Sequence, residues 1–242
     1  MPHRRHSVLL GSLTVERPGG SQQVILDELR RAILDGAVPP GTPIPLAEVA
    51  EHFGVSRIPV RESLKTLIGE GLVAHRANSG YMVAQLTAAE LGELYVARES
   101  LEAASLAAAV GNASEADFAT AIDMNALLEH AIREDDAVAY HRQSRRFHAA
   151  LTGPSRMYRL LRMLETAWNL TEPVQPMVHV TPDDRIRLHA DHGEMLQAFL
   201  TRDVERLLGA AERHARRLNS VIATLSFETG LLAAEKDISS PQ

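Results

Sequence analysis

From Thr87 to about Ser226 the apolar residues recur at helical spacing almost without a break, and no stretch there alternates as a half-buried strand would. Strand signals are confined to the region before Val83, so the chain is predicted to be mainly α. A length of 242 residues suits two ordinary domains. The expected architecture is a small head containing a β-hairpin, residues 21–84, followed by an all-helical antiparallel bundle, residues 87–229.

Within the head, Ser21 is placed to cap a helix carrying Val24, Ile25, Leu29, Ala32 and Ile33 and ending at Gly36. The proline-rich turn Val38 to Pro45 cannot be helical inside. A short helix over Leu46 to Phe53, a turn at Gly54 and Val55, and a third helix from Ser56 to about Gly69 follow. The turn Ala77-Asn78-Ser79-Gly80 then divides Leu72 to Val83 into two strands. In the bundle, Thr87 with Glu90 forms a capping-box pattern opening a helix to about Val110, with Gly111 as its stop. Further helices are expected from Ser114 to His130, Asp135 to Thr152 and Ser155 to Leu170. A loop with Pro173 and Pro176 leads to the start signal Thr181-Pro182-Asp184, and the last helices run to about Leu200 and from Asp203 to about Ser226. Residues 1–20 read as a disordered arm, because the apolar run Val8 to Leu13 is too short for a signal sequence. Residues 230–242 read as a loose tail.

Composition narrows the classes of function. No apolar run approaches the roughly 18 residues of a membrane span, so no membrane role is expected. With no cysteine there is neither a disulfide framework nor a thiolate site, which points to a reduced, cytoplasmic location. Charge is uneven: residues 1–84 hold nine Lys and Arg against eight Asp and Glu, and the remainder 16 against 23. A near-neutral head binds polyanions only if its cations gather on one face, whereas the acidic bundle is unsuited to phosphate.

The third helix meets that condition. Arg57, Arg61 and Lys65 stand at i, i+4 and i+8, opposite Val60, Leu64, Leu67 and Ile68. A solvated basic face is the bland explanation. Three neighbouring features favour a DNA reader: the tight Phe53-Gly54-Val55 turn, Ser56 leaving a helix N-terminus open, and the Gly-tipped hairpin.

The segment Leu46 to Gly80, and above all Gly54-Val55-Ser56-Arg57-Ile58-Pro59-Val60-Arg61-Glu62, resembles the winged helix-turn-helix of the GntR superfamily of bacterial transcription regulators. The resemblance implies that Ser56, Arg57 and Arg61 touch phosphates and base edges in the major groove, with Gly80 bringing the wing backbone to the minor groove; Lys65, on the same basic face, is a further DNA-binding candidate. An Arg in the first turn of such a helix can pair bidentately with guanine, and Ile58 can meet a thymine methyl. Ala47 stands where some members carry a phosphate-binding Arg; Arg76, or Arg4 and Arg5, is expected to compensate.

His148, His192 and His214 fall on three different helices of the bundle. Histidines so placed can converge on one ion, although by composition alone a helical histidine is more simply a packed or solvated side chain. Arg98-Glu99-Ser100-Leu101-Glu102, Phe147-His148 and Asp191-His192-Gly193-Glu194-Met195 resemble the FCD ligand-sensing domain of the FadR subfamily. In metal-binding members an Asp four residues before the Phe-His histidine completes the site; here that position is Ser144. A neutral hydroxyl in place of an anion implies weaker binding. Three readings follow: a three-histidine site for Zn or Ni, recruitment of His189 as fourth ligand, or histidines that touch the effector directly. Arg98 resembles the cavity-facing Arg of such domains and suits a carboxylate; its alternative is an intrahelical pair with Glu102.

The resemblance implies a homodimeric repressor, bound to a palindromic double-stranded DNA operator and released by a small carboxylate. A helical metallo-hydrolase fused to a DNA-binding head is the main alternative, since three histidines with an open position also describe a catalytic zinc. A protein-interaction bundle without ligand is the third.

Overall fold

The computed structural model describes residues 7–15, 20–77, 79–223 and 232–233. Packing divides the chain into two compact units: Met1–Ala89 with Asn169–Val174 and Ser226–Gln242, and Glu90–Trp168 with Gln175–Leu225.

The first unit is built from α1 (Val8–Ser12), α2 (Gln22–Leu34), β1 (Pro43–Ile44), α3 (Leu46–Phe53), α4 (Arg57–Gly69), β2 (Val73–Arg76) and β3 (Gly80–Val83). Ser21 Oγ accepts from the Val24 N–H at the start of α2, and Gly54 closes α3 at φ 65°, a left-handed conformation that a side chain would oppose. Ile25, Leu29 and Ile33 from α2 meet Phe53, Val60, Leu64 and Leu67 in one core. Ile68, expected on that apolar side, is 38% exposed; it lies at the edge of the stripe rather than within it.

The hairpin belongs to a three-stranded antiparallel sheet of order β1-β3-β2. Pro43 pairs with Met82 and Ala74 with the same residue on the other side. The proline-rich turn therefore supplies an edge strand, a place where a residue without an N–H is tolerated.

Part of the expected disordered arm is ordered. Leu9 is completely buried and Leu13 nearly so, both in the core shared with α3. Their spacing of four residues puts them on one side of the short segment, and Arg31 donates to the Ser12 carbonyl at 2.9 Å. Arg4 and Arg5 lie outside the described residues. Most of the expected loose tail does too, but Leu232 is buried and the Ala233 N–H donates to the Leu86 carbonyl at 2.9 Å. The expected boundary also needs a correction, since Asn169–Val174 groups with the head. Leu170 fills the space beside Gly71, where a Cβ would collide with its Cδ2.

The rest is helical: α5 (Ala88–Asn112), α6 (Glu115–Arg133), α7 (Ala137–Thr152), α8 (Tyr158–Thr171), α9 (Pro176–His179), α10 (Pro182–Leu200) and α11 (Val204–Ile222). Ser114 and Asp117 make a reciprocal capping box at α6, and Thr181 caps α10 before Pro182. Gly111 does not end α5. Arg202 holds that end by donating to the Val110 and Ala113 carbonyls at 2.6 and 2.7 Å. Phe118, Tyr140, Phe147, Leu188, Phe199 and Leu207 form the centre of the bundle, where Phe118 and Phe199 meet edge to face at 5.3 Å.

Candidate functional site

On α4 the alternation of buried Val60, Leu64 and Leu67 leaves Arg57, Ile58, Arg61 and Lys65 exposed, with Ile58 69% exposed. A β-branched apolar side chain so uncovered between two arginines contributes nothing to the core of its own unit. Ser56 occupies the N-cap position, yet its side chain makes no capping hydrogen bond, so the first N–H groups of α4 stay available to an anion. The Lys65 ammonium lies 2.9 Å from Glu62. In the wing, exposed Arg76 pairs with Gly80, which adopts φ 76°, and the ring of His75 rests against Tyr81 at 4.7 Å.

In the second unit α7, α10 and α11 bring His148, His192 and His214 together, with one potential ligand atom from each lying within 4.8 Å of the others. All three are buried, at 5%, 0% and 5% exposure. Nε2 of His148 is 3.1 Å from Nε2 of His192. Two imidazole nitrogens bound to one zinc at about 2.0–2.1 Å each lie roughly 3.0–3.4 Å apart, so the spacing fits shared coordination; it equally fits a hydrogen bond when one nitrogen carries a proton. Burial, and then the neighbouring histidines, hold His192 well below its usual pKa. Burial, followed by His148, takes His214 down to about 3. Neutral imidazole is the form that ligates.

Outside the three rings stand polar groups that spacing did not connect with the histidines. Glu102 on α5 bonds directly to Nδ1 of His148. Burial raises the carboxyl, but His148 and then Arg98 outweigh it and the group is held below its ordinary value. The Tyr140 hydroxyl is 3.4 Å from Nδ1 of His192, its pKa raised by burial and by Asp191. Asp191 Oδ2 lies 3.9 Å from Nδ1 of His214 while accepting from Arg217 Nε at 2.7 Å. The Glu102–His148 contact crosses 46 residues, which no local pattern encodes.

Arg98 is 4% exposed, its guanidinium carbon 3.3 Å from the centroid of the Trp168 ring and 4.6 Å from that of Tyr95. It lines a cavity of about 300 Å³ between α5 and α11, whose wall also includes Glu102, His148, His214, Met195 and Asn219. A small organic molecule fits that volume. Glu102, the expected intrahelical partner of Arg98, bonds to His148 and also feels the charge of Arg98. Ser144 is buried one turn before His148. His189 does not join the converging atoms: its ring centroid is 6.2 Å from that of His192 and burial lowers its pKa.

The sequence matches the model for gntR-family bacterial regulatory proteins over residues 21–83 and the FCD domain model over residues 93–217. It is 30% identical over 147 residues to the HTH-type transcriptional regulator YdhC of Bacillus subtilis, spanning 57% of this chain and 62% of that protein. It is 26% identical over 218 residues to the gluconate operon transcriptional repressor of Bacillus licheniformis, covering 85% and 86%. The solved structure of Escherichia coli McbR/YncC has the same fold, with a TM-score of 0.74 at 22% identity over 84% of this chain and 96% of that one. Among the described residues no helix is long and apolar enough to cross a membrane. The chain belongs to the gntR family of bacterial regulatory proteins and joins its winged helix-turn-helix head to an FCD domain, the make-up of a ligand-responsive, DNA-binding transcription regulator and not of an enzyme.

Proposed function

We propose that this protein is a cytoplasmic homodimeric repressor of the FadR subfamily that leaves a palindromic operator when its FCD domain binds a small carboxylate. The observation that carries the reading is the α5–α11 cavity, in which a buried guanidinium and two of three clustered histidines share one wall. The name of the gluconate operon repressor favours both the sign of regulation and an organic acid.

Arg57 and Arg61 read bases and phosphates, Ile58 rests on a thymine methyl, Ser56 leaves the start of α4 open to a phosphate, and Gly80 brings the wing backbone to the minor groove. Lys65 and Arg76 add sequence-independent attraction. In the cavity Arg98 offers its planar fork to the effector carboxylate; the stacked Trp168 ring holds the fork in place and keeps water from one face. His148, His192 and His214 would hold a divalent ion such as Zn or Ni, which when bound supplies positive charge for a carboxylate oxygen. The effector releases DNA only if its affinity differs between head arrangements, a coupling of about 1–3 kcal/mol.

Mobility shifts at fixed salt test both halves. Arg61→Ala is expected to abolish specific operator binding while melting like the wild type, and unchanged affinity would remove α4 as the reader. Arg98→Ala is expected to bind operator normally yet ignore carboxylates; a mutant that still responds would place the effector elsewhere.

A further inference from the structure

Among the described residues the atoms that converge with the three histidines include no carboxylate, and Ser144 contributes none. A divalent ion there would meet only neutral ligands, and its binding would depend on charge and hydrogen bonding from the next layer out. Among the described residues two carboxylates stand in that layer. Asp191 is 3.9 Å from His214, beyond hydrogen-bond reach, and its charge is engaged by Arg217. Glu102 is bonded directly to Nδ1 of His148, and its side chain is only 14% exposed.

We propose that Glu102 is the positioning residue of a divalent-cation site at His148, His192 and His214, fixing the His148 tautomer and supplying from the outer layer the negative charge that Ser144 lacks. As an ionised acceptor it keeps the proton of His148 on Nδ1. The lone pair of Nε2 is thereby left on the side that faces His192. Because α5 also carries Arg98, one helix places both the carboxylate beside the histidine cluster and the guanidinium in the wall of the cavity. The inference rests on the metal-binding reading of the cluster.

The test uses the full chain, Zn²⁺ as the probe and a competing chelator to measure affinity. Glu102→Gln, of nearly equal size but neutral, is expected to weaken Zn²⁺ binding about 10–100-fold, and adding Ser144→Asp to it is expected to recover most of that loss. A merely structural role for Glu102 would lower the melting temperature without recovery of affinity in the double variant. Glu102→Gln binding within twofold of wild type overturns the proposal while leaving the metal site standing. If neither wild type nor Ser144→Asp takes up Zn²⁺, the metal reading itself fails and the proposal with it. Nitrogen NMR of the metal-free wild type is independent of how any variant folds: a proton on Nδ1 of His148 is expected, and a proton on Nε2 alone overturns the assignment.

Discussion

The reading face of the head and the histidine cluster of the bundle are opposite solutions to placing a functional group. On α4 the groups come from one helix within one stretch of sequence and stay exposed, because the opposite stripe of Val60, Leu64 and Leu67 alone satisfies the core. The histidines come from three helices and are buried beside Phe147 and Tyr140. Such groups are tolerated inside only with polar partners, and Glu102, Tyr140 and Asp191 stand next to them. A surface site can change residue by residue at little cost in stability. A buried one ties function to the packing of its unit.

If the two units are separate cooperative blocks, core truncations should act locally, and here the largest effects are expected. Phe53→Ala and Phe147→Ala each remove a completely buried ring, at a cost of about 3–5 kcal/mol. Calorimetry with hydrogen exchange should show the first destabilising the head alone and the second the bundle alone. Equal loss of protection in both units would erase the distinction.

Acid should separate the regions next. In the unfolded chain His192 and His214 return to about pKa 6.5, whereas in the folded bundle burial holds the first well below that and the second at about 3. Below pH 6.5 the unfolded state therefore takes up protons that the folded state refuses. The stability present above that pH is lost as pH falls toward 3, by about 1.4 kcal/mol per pH unit for His214. Urea melts of metal-free protein, followed by the single tryptophan, Trp168, whose ring lies 5.7 Å from that of His148, should lose about 2 kcal/mol between pH 6.5 and 5 from His214 alone. A flat profile would mean that the histidines are protonated in the fold.

The smallest contrast lies in two serines at helix starts. Ser114 is engaged in a reciprocal box, accepting from the Asp117 N–H at 3.3 Å while its own N–H donates to Asp117 at 2.8 Å; Ser114→Ala should cost about 1 kcal/mol. Ser56 makes no side-chain cap bond. Its alanine variant should leave the melting curve nearly unmoved and weaken operator binding. Matching losses of stability would make Ser56 an ordinary cap.

Helix starts were legible where a side chain closes on its own backbone: Ser21, Ser114 and Thr181 act within three residues. Ends were less so. Gly111 is a plausible stop by composition, but α5 runs on to Asn112 and Arg202, from 92 residues away, donates to the Val110 carbonyl near its end. The apolar run after Ser7 is too short to announce a helix by itself, and it forms one because α3 covers Leu9. In the site, the three histidines were legible as residue types on three helices. That His189 stays apart while Glu102 reaches His148 depends on how those helices turn relative to one another.

What the sequence by itself determined is therefore whatever depends on spacing along one element. The helical bundle, the basic face of α4, the wing turn and the caps all follow from a period of about 3.6 or 2 residues and from local hydrogen bonds. Tertiary structure decided what depends on rotation and approach between elements: the third strand beside β3, the order of α1, and the carboxylate chosen by His148. Those outcomes follow from close packing, which selects one relative placement of faces that many sequence-compatible arrangements would bury equally well.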